Sequence, residues 1–167
     1  MLFRSVPPAA SFDLAGDFQT QADWVYWSSP YAVGRVHRDG TTPTQVTRLT
    51  TFSGMAVASS GLVYYFERSA AGNYAMNRAD LTALSSGIVN FGPFFNPSVL
   101  AINTSNVYWS EPSGVIKRTP LVLGGGIVPL RAAVAGGYEV RSIVLDATNI
   151  YWIESTSAGV EIGRAHV

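Results

Sequence analysis

The chain has 167 residues, of which 47% are hydrophobic and 13% charged, and its formal net charge at pH 7 is zero. This composition excludes a disordered chain, and the lack of a basic stripe argues against nucleic acid or an anionic membrane as the partner. The sequence has no cysteine, which excludes disulfides, thiolate metal sites and a cysteine nucleophile. No apolar run is long enough for a membrane span, and the N-terminal stretch MLFRSVPPAASFDLAG lacks the apolar core of a signal peptide.

Four segments along the chain share a tyrosine followed by a second aromatic residue. In chain order they are ADWVYWSS (22–29), SGLVYYFE (60–67), TSNVYWSE (104–111) and ATNIYWIE (147–154). The aligned tyrosines are Tyr26, Tyr64, Tyr108 and Tyr151, which lie 38, 44 and 43 residues apart. The flanks repeat as well, because GRVHRDG, YAMNRADL and GVIKRTPL place Arg38, Arg78 or Arg118 late in a predicted strand. The chain is therefore built from an internal repeat.

The third unit shows how each repeat divides into short strands. A strand over 99–102 and a polar turn over 103–106 precede a strand over 107–111. In that strand Val107 and Trp109 lie on one face and Tyr108 on the other. A turn over 112–114, a strand over 115–118, a glycine turn over 124–126 and a strand over 127–132 complete the unit. No segment has a convincing helical period, so the predicted fold class is all-β.

A repeat of about 40–45 residues with four strands is typical of a β-propeller blade. We therefore predict a β-propeller fragment with about three four-stranded antiparallel blades and the start of a fourth. A single sheet buries its two faces only against neighbouring blades, so the paired aromatic residues are predicted to pack between blades. These residues are Tyr26, Trp27, Tyr64, Tyr65, Tyr108, Trp109, Tyr151 and Trp152. The alternative for these rings is ligand stacking at one mouth of the propeller.

Two segments, IVLDATNIYW and VYWSEPSGVIKRTPL, resemble the YWTD-type blades of the low-density-lipoprotein-receptor family, and still more its bacterial relatives. The resemblance covers roughly residues 18–160 and implies a propeller, usually of about six blades. The aspartate that precedes the turn in the family is present as Asp146, and Ser59 and Asn103 stand in its place in the second and third units. The family's Thr-Asp pair reads Ser28-Ser29, Phe66-Glu67, Ser110-Glu111 and Ile153-Glu154.

The two ends of the chain match one oligonucleotide read in opposite directions. The tail EIGRAHV can be encoded by GAG ATC GGA AGA GCA CAC GTC, which contains the start of a common sequencing adapter. The opposite strand, GTG CTC TTC CGA TCT, encodes the first five residues when GTG is the start codon. Residues 1–5 and 161–167 are therefore predicted to be adapter-derived, with residues 6–160 a partial propeller. Such an open arc leaves apolar faces bare, so we expect the chain to associate with itself.

Few residues suggest chemistry. His37 with nearby Asp39 is the candidate for a catalytic pair, but Asn77 and Lys117 take its place in the aligned units, which favours a solvated strand residue. The sequence lacks a Gly-x-Ser-x-Gly motif and an Asp-rich calcium loop, and 124–126 is a hairpin turn rather than a phosphate loop. No catalytic residue, metal site or cofactor is predicted.

Two further sets of residues are candidates for binding. Glu67, Glu111 and Glu154 recur at one register, where they form either a carboxylate belt or, as we favour, hydrogen bonds to strand edges and turns. The segment FGPFFNPS (91–98) carries Phe91, Phe94 and Phe95, which either line a binding loop or pack under a blade edge.

The sequence favours a non-catalytic binding or scaffold module of a bacterial secreted or periplasmic protein, with a protein, glycan or cell-wall ligand as the partner. One alternative is part of a lactonase- or lyase-like propeller enzyme whose metal or catalytic residues lie on other blades. The other is the sensor domain of a membrane receptor or kinase. Recovery of the flanking coding sequence distinguishes these three hypotheses.

Overall fold

Antiparallel strands make up nearly all of the regular structure in a computed structural model of the chain. The residues that the structure describes are 18–29, 32–47, 51–69, 71–88, 94, 96–122, 125–136, 138–156 and 159–166. The strands are β1 (Phe18–Gln21), β2 (Trp24–Ser29), β3 (Ala32–His37), β4 (Thr44–Thr47), β5 (Thr51–Val57), β6 (Val63–Arg68), β7 (Tyr74–Asp80), β8 (Ser85–Ile88), β9 (Leu100–Ile102), β10 (Asn106–Glu111), β11 (Val115–Pro120), β12 (Val128–Arg131), β13 (Glu139–Leu145), β14 (Asn149–Thr156) and β15 (Gly159–His166). A short 3-10 turn over Pro112–Gly114 joins β10 to β11.

The strands form four separate sheets in sequence order. Blades 1, 2 and 3 are the four-stranded sheets β1–β4, β5–β8 and β9–β12, and blade 4 is the three-stranded sheet β13–β15. Within each sheet every strand pairs with its sequence neighbour in antiparallel fashion. This confirms the predicted all-β propeller with three four-stranded blades and the start of a fourth.

The blades stack with their first strands side by side, so β1, β5, β9 and β13 follow one another along the inner edge of the arc. Alternation along each second strand points one set of side chains at the preceding blade and the other set at the following blade. In β10, for example, Trp109 packs with Phe66 of blade 2, whereas Tyr108 belongs to the apolar cluster that holds Trp152 of blade 4. Each interface between described blades therefore holds its own apolar cluster, in which a fully buried large side chain contributes about 1.5–3 kcal/mol.

The observed register corrects three of the sequence alignments. Arg35, not Arg38, lies opposite Tyr26, as Arg78 lies opposite Tyr64, because β3 ends at His37 and leaves Arg38 in the following turn. His37 lies opposite Trp24, whereas Asn77 lies opposite Tyr65 and Lys117 opposite Trp109, so His37 is not equivalent to Asn77 and Lys117.

The third correction concerns the residue that begins the turn after the first strand. In blade 2 the N–H of Ala58 donates to the carbonyl oxygen of Leu62, which is the bond that Asn103 makes to Asn106 in blade 3. Ala58, and not Ser59, therefore occupies the position of Asn103. The turn of blade 2 contains one residue more than the others, and this insertion displaced the alignment.

The C-terminal segment predicted to be adapter-derived is part of the sheet as far as the structure describes it. Residues 161–166 complete β15, which pairs with β14 along its whole length. Gly163 lies opposite Trp152 and Arg164 opposite Tyr151. The origin of this segment stays a prediction, and residues 1–5 lie outside the described residues.

Candidate functional site

A cavity of about 430 Å³ lies at the end of the propeller where the first strand of each blade turns into the second. We call this end the mouth. The turns of blades 2, 3 and 4 meet there because β5, β9 and β13 run side by side and end together. The residues that line the cavity are Ser59, Ile102, Asn103, Thr104, Asp146 and Ala147. Three successive repeats thus bring equivalent turns together around one opening.

The turn of blade 4 is organised by the carboxylate of Asp146. Its Oδ1 accepts hydrogen bonds from the backbone N–H groups of Thr148 (2.7 Å) and Asn149 (2.6 Å). Its Oδ2 accepts a bond of 2.9 Å from the hydroxyl of Tyr151. A short polar side chain that satisfies the backbone two and three residues ahead is well suited to reverse the chain.

The turn of blade 3 repeats this arrangement with an amide in place of the carboxylate. Asn103 Oδ1 accepts from the N–H groups of Ser105 (2.9 Å) and Asn106 (2.8 Å). Its Nδ2 donates to the hydroxyl of Tyr108 at 3.2 Å. The two turns therefore share one geometry and differ in charge.

Asp146 makes the cavity anionic. The backbone N–H of Thr148 and then the hydroxyl of Tyr151 hold the pKa of the Asp146 carboxyl well below its usual range, with Asn149 adding to the effect. The same hydrogen bond to Asp146 raises the pKa of the Tyr151 phenol. Asp146 is thus a carboxylate and Tyr151 a neutral donor at physiological pH.

This arrangement is suited to binding. The cavity volume falls in the range of sites that hold a small ligand or one side chain of a partner. Its rim offers the Ser59 and Thr104 hydroxyls, the Asn103 amide and the Asp146 carboxylate, with Ile102 as the apolar part of the wall. A group with N–H donors and positive charge complements such a lining.

The eight aromatic residues predicted to pack between blades lie in the second strands, one pair in each blade. In blades 2 and 3 both members are buried, and in blades 1 and 4 Tyr26 and Trp152 are buried while Trp27 and Tyr151 are partly exposed. Trp27 covers Gly34 and Trp152 covers Gly163, so that an added Cβ at either glycine would overlap the indole ring. The aromatic side chains are absent from the cavity lining, and their assignment to structure rather than ligand binding stays a prediction.

Among the three phenylalanines of the candidate binding loop, only Phe94 lies within the described residues. Its ring is buried between Phe66 and Trp109, with ring-centre distances of 5.0 and 5.3 Å. Its backbone bridges to Tyr74 of β7. Phe94 therefore belongs to the core between blades 2 and 3, while the binding role proposed for Phe91 and Phe95 stays a prediction.

The three recurrent glutamates each have a side-chain partner. Glu67 accepts a hydrogen bond from the Asn77 amide. Glu111 accepts from the Trp109 indole N–H at 3.0 Å and pairs with Lys117 at 2.6 Å. These partners are side chains of the same blade, and the predicted bonds of these glutamates to strand edges and turns stay a prediction.

Glu154 differs from the other two because its partner lies on another blade. Its carboxylate is 2.8 Å from Arg131 Nη2 on β12 of blade 3, and both side chains are largely buried. Arg131 also donates to the carbonyl oxygen of Gly114 at 2.5 Å. The sequence did not reveal this bridge, because Arg131 follows a glycine-rich turn and has no repeated position.

A second bridge between blades was also missed. Gln19 of β1 donates to the carbonyl oxygen of Met55 (2.7 Å) and accepts from the N–H of Val57 (2.9 Å) on β5. The side-chain amide thus satisfies two backbone groups of the neighbouring blade. Only the position of Gln19 on an inner strand could have suggested this role.

His37 lies on the rim of blade 1. Its Nδ1 is 2.9 Å from Asp39 Oδ1, and its ring meets Trp24 edge-on at 5.4 Å between ring centres. Asp39 is held by the Thr41 hydroxyl and backbone, and then by His37, which together lower its pKa to about 2. This pair braces the turn after β3. Within the described ranges, no group of three or more histidine and acidic side chains could hold a metal ion.

No protein-family model matches the chain, and no curated protein is significantly similar to it. Solved structures resemble it in fold. TolB from Acinetobacter baumannii matches with a TM-score of 0.65 and 11% identity over 87% of this chain and 38% of that chain. The N-terminal domain of Nup159 matches with a TM-score of 0.52 and 8% identity over 90% of this chain and 43% of that chain.

A third match comes from the complex of S. cerevisiae Dbp5 bound to Nup159, Gle1, IP6 and ADP, with a TM-score of 0.51 and 8% identity. It covers 89% of this chain and 46% of that one, so this chain spans less than half the length of each of these three solved chains. Likeness at such low identity shows the fold alone, and that fold is the β-propeller. The described residues contain no helix long and apolar enough to cross a membrane.

Proposed function

We propose that the chain is a non-catalytic β-propeller module that binds a protein partner at the mouth. The observation that carries this proposal is the cavity of about 430 Å³, to which three blades contribute equivalent turns. An ionised Asp146 lies on its rim beside hydroxyl and amide groups. A lysine or arginine side chain from the partner complements the negative charge of Asp146.

The lining favours a protein over a glycan. Sugar rings are commonly bound by stacking on aromatic rings, and the six residues that line the cavity include none. The match to Nup159 supports a protein partner by analogy, since one solved complex has Dbp5 bound to that protein. Because the analogy concerns fold, the chemistry of the mouth carries the argument.

We further propose that the module belongs to the bacterial relatives of the YWTD-type propellers and acts in a secreted or periplasmic protein. The turn-forming Asp146, its bond to Tyr151 and the repeated Tyr-aromatic pairs support this relationship. The likeness to the A. baumannii TolB structure is consistent with a bacterial origin.

Selection from a displayed peptide library tests the binding function. The selected peptides should contain lysine or arginine, and their affinity should fall at least about tenfold for the variants Asp146→Asn and Thr104→Arg. Asp146→Asn copies the turn of Asn103, which removes the charge and makes the amide the donor to the tyrosine hydroxyl, whereas Thr104→Arg fills the opening. The variant Ala71→Arg, in an exposed turn at the opposite end, serves as the control. Peptides that bind all three variants as tightly as the wild type would place the binding site elsewhere.

A further inference from the structure

A basic and aromatic cluster lies at the mouth end of blade 1. β2 begins there with Trp24, and β3 ends there with His37, which lies opposite Trp24. Arg35 lies two residues earlier in β3, on the same face of the sheet. We call Trp24, Arg35 and His37 the blade 1 cluster. This face is turned toward blade 2, because Trp24 packs against the apolar cluster that holds Val63 and Leu81 of that blade.

The guanidinium group of Arg35 is held in place by stacking. Its Cζ lies 4.0 Å from the centre of the Trp24 ring, and His37 meets the same indole edge-on at 5.4 Å between ring centres. The carboxylate of Asp39, 2.9 Å from His37 Nδ1, orients the imidazole in turn. Three side chains thus fix the position of the Arg35 charge before a ligand arrives.

Arg35 lacks an ion-pair partner among the residues that the structure describes. None of the four ion pairs found there includes it, and its Nε is buried without a hydrogen-bond partner. A buried donor that is left unpaired is unusual in a folded protein. A guanidinium stacked on an aromatic ring keeps its N–H groups at the edge, where they can bind a carboxylate with two hydrogen bonds. The Arg35 side chain is only partly buried, so it is an oriented cation that a ligand can reach.

Asp80 of β7 lies near Arg35 but is engaged by its own turn. Its Oδ1 accepts hydrogen bonds from the backbone N–H groups of Thr82 (2.8 Å) and Ala83 (3.2 Å). The bonds from Thr82, and then the bond from Ala83, lower the pKa of the Asp80 carboxyl, and the positive charge of Arg35 adds a smaller effect. Asp80 is therefore a carboxylate that attracts Arg35 without pairing with it, which leaves the guanidinium available for a second acid.

One turn separates the blade 1 cluster from the cavity at the mouth. Arg35 lies opposite Tyr26, whose hydroxyl oxygen is 3.4 Å from the position that a Cβ on Gly61 would take. Gly61 belongs to the turn of blade 2 that supplies Ser59 to the cavity. A partner seated at the cavity therefore reaches blade 1 across this single turn.

We propose that Arg35, held on Trp24, binds an acidic side chain of the same partner that places a lysine or arginine in the cavity. This inference rests on the proposed function and adds to it a second contact of opposite charge. The partner is therefore a protein segment that carries a basic residue for Asp146 and an acidic residue for Arg35. Opposite charges at two separate places also fix the direction in which the segment lies across the mouth.

The peptides selected from the displayed library test this contact when their affinity is measured for two arginine variants. Each peptide should contain aspartate or glutamate in addition to lysine or arginine, and Arg35→Gln should weaken its binding at least about tenfold. The control Arg38→Gln removes the same charge from an exposed side chain in the adjacent turn and should change affinity about twofold or less. Thermal unfolding checks that the variants are folded. Arg35→Met, whose long side chain still covers Trp24, replaces Arg35→Gln if that variant is unfolded.

Exchange of the peptide's acidic residue for its amide identifies the residue that meets Arg35. The exchange should weaken binding about tenfold to the wild type and about twofold or less to Arg35→Gln, because both changes remove the same pair. Selected peptides without an acidic residue, or an exchange that weakens binding to both proteins equally, would overturn the inference. Binding that depends on Asp146 but not on Arg35 overturns this inference and leaves the proposed function intact. Binding that depends on Arg35 but not on Asp146 supports the Arg35 contact and removes the cavity from the proposed function.

Discussion

Two glycines illustrate how single residues permit the blades to form. Gly34 and Gly163 each lie across the sheet from a tryptophan, and the indole ring occupies the space that a Cβ would need. Blades 2 and 3 have Asn77 and Lys117 at this position, where the side chain reaches a glutamate instead. A glycine opposite tryptophan and a polar residue beside glutamate are therefore alternative solutions at one register position.

The variant Gly34→Ala should destabilise the fold by about 1–3 kcal/mol, because the added methyl group overpacks the contact with Trp27. Denaturant unfolding followed by tryptophan fluorescence measures the change. Gly126→Ala is the control, since an added Cβ there meets nothing within 4 Å. Equal stability of Gly34→Ala and the wild type would contradict the contact.

The lowered pKa of Asp146 makes a prediction about pH. Because the pKa of Asp146 is lower in the folded state than in the unfolded chain, its ionised carboxylate stabilises the fold. This stabilisation is complete above the unfolded pKa of 3.8 and is lost as the pH falls through the lower pKa of the folded state. The neutral asparagine of Asp146→Asn mimics the protonated carboxyl group. The Tm difference between wild type and variant should therefore be largest near neutral pH and shrink in acid, as calorimetry would show. A difference that grows on acidification would contradict the prediction.

The sequence predicted the position of Asp146 but not its partners. A repeat alignment identifies residues at equal spacing, and Asn103 and Asp146 both lie five residues before their tyrosine. Blade 2 breaks this spacing through the additional residue of its turn, so Ser59 was assigned to a position that Ala58 holds. Hydrogen bonding, and not residue type, decides equivalence in such a turn.

At the scale of elements, an ion pair joins blades 3 and 4. Arg131→Ala leaves the largely buried Glu154 carboxylate without its partner, which should cost about 3–5 kcal/mol. Arg141→Ala is the matched control, because its pair with Glu139 is 59% exposed on both sides and contributes about 0–1 kcal/mol. Chemical denaturation measures the loss of stability in both variants. Equal losses would show that the ion pair between blades 3 and 4 stabilises the fold no more than an exposed ion pair does.

Phe94 tests whether the segment before β9 is part of the core. Its ring contacts blade 2 through Phe66 and blade 3 through Trp109, so Phe94→Ala should destabilise the fold by about 3–5 kcal/mol. Leu84→Ala, at a 58% exposed position, should change stability by less than about 0.5 kcal/mol. Thermal unfolding compares the two variants. A Phe94→Ala variant as stable as the wild type would return Phe94 to the candidate binding residues.

Strand existence was predictable, whereas register was not. The third unit was expected to have strands over 99–102, 107–111, 115–118 and 127–132, and the structure has them within two residues at each boundary. Alternation of apolar residues fixes a strand and its faces but not its alignment with the next strand, which depends on turn length. From the sequence alone, either Arg35 or Arg38 could be the arginine that lies opposite the repeated tyrosine. The pairing of β2 with β3 shows that it is Arg35.

At the scale of the whole molecule, the repeat predicted a propeller because a small four-stranded sheet needs neighbouring blades to cover its two faces. The cavity at the mouth was not predictable from the sequence. It arises where three turns converge, and its lining residues come from positions up to 88 apart in the chain, from Ser59 to Ala147. Neither the repeat spacing nor the residue types show which turns meet.

Cysteine labelling at the mouth tests the central claim most directly, since the chain has no cysteine of its own. A single thiol is placed by Thr104→Cys at the cavity or by Ala71→Cys at the opposite end, and its alkylation rate is measured with and without a saturating selected peptide. The proposed function predicts that the peptide slows alkylation of the Thr104→Cys thiol and leaves the Ala71→Cys rate unchanged. An unchanged rate at Thr104→Cys, or protection only at Ala71→Cys, would contradict binding at the mouth.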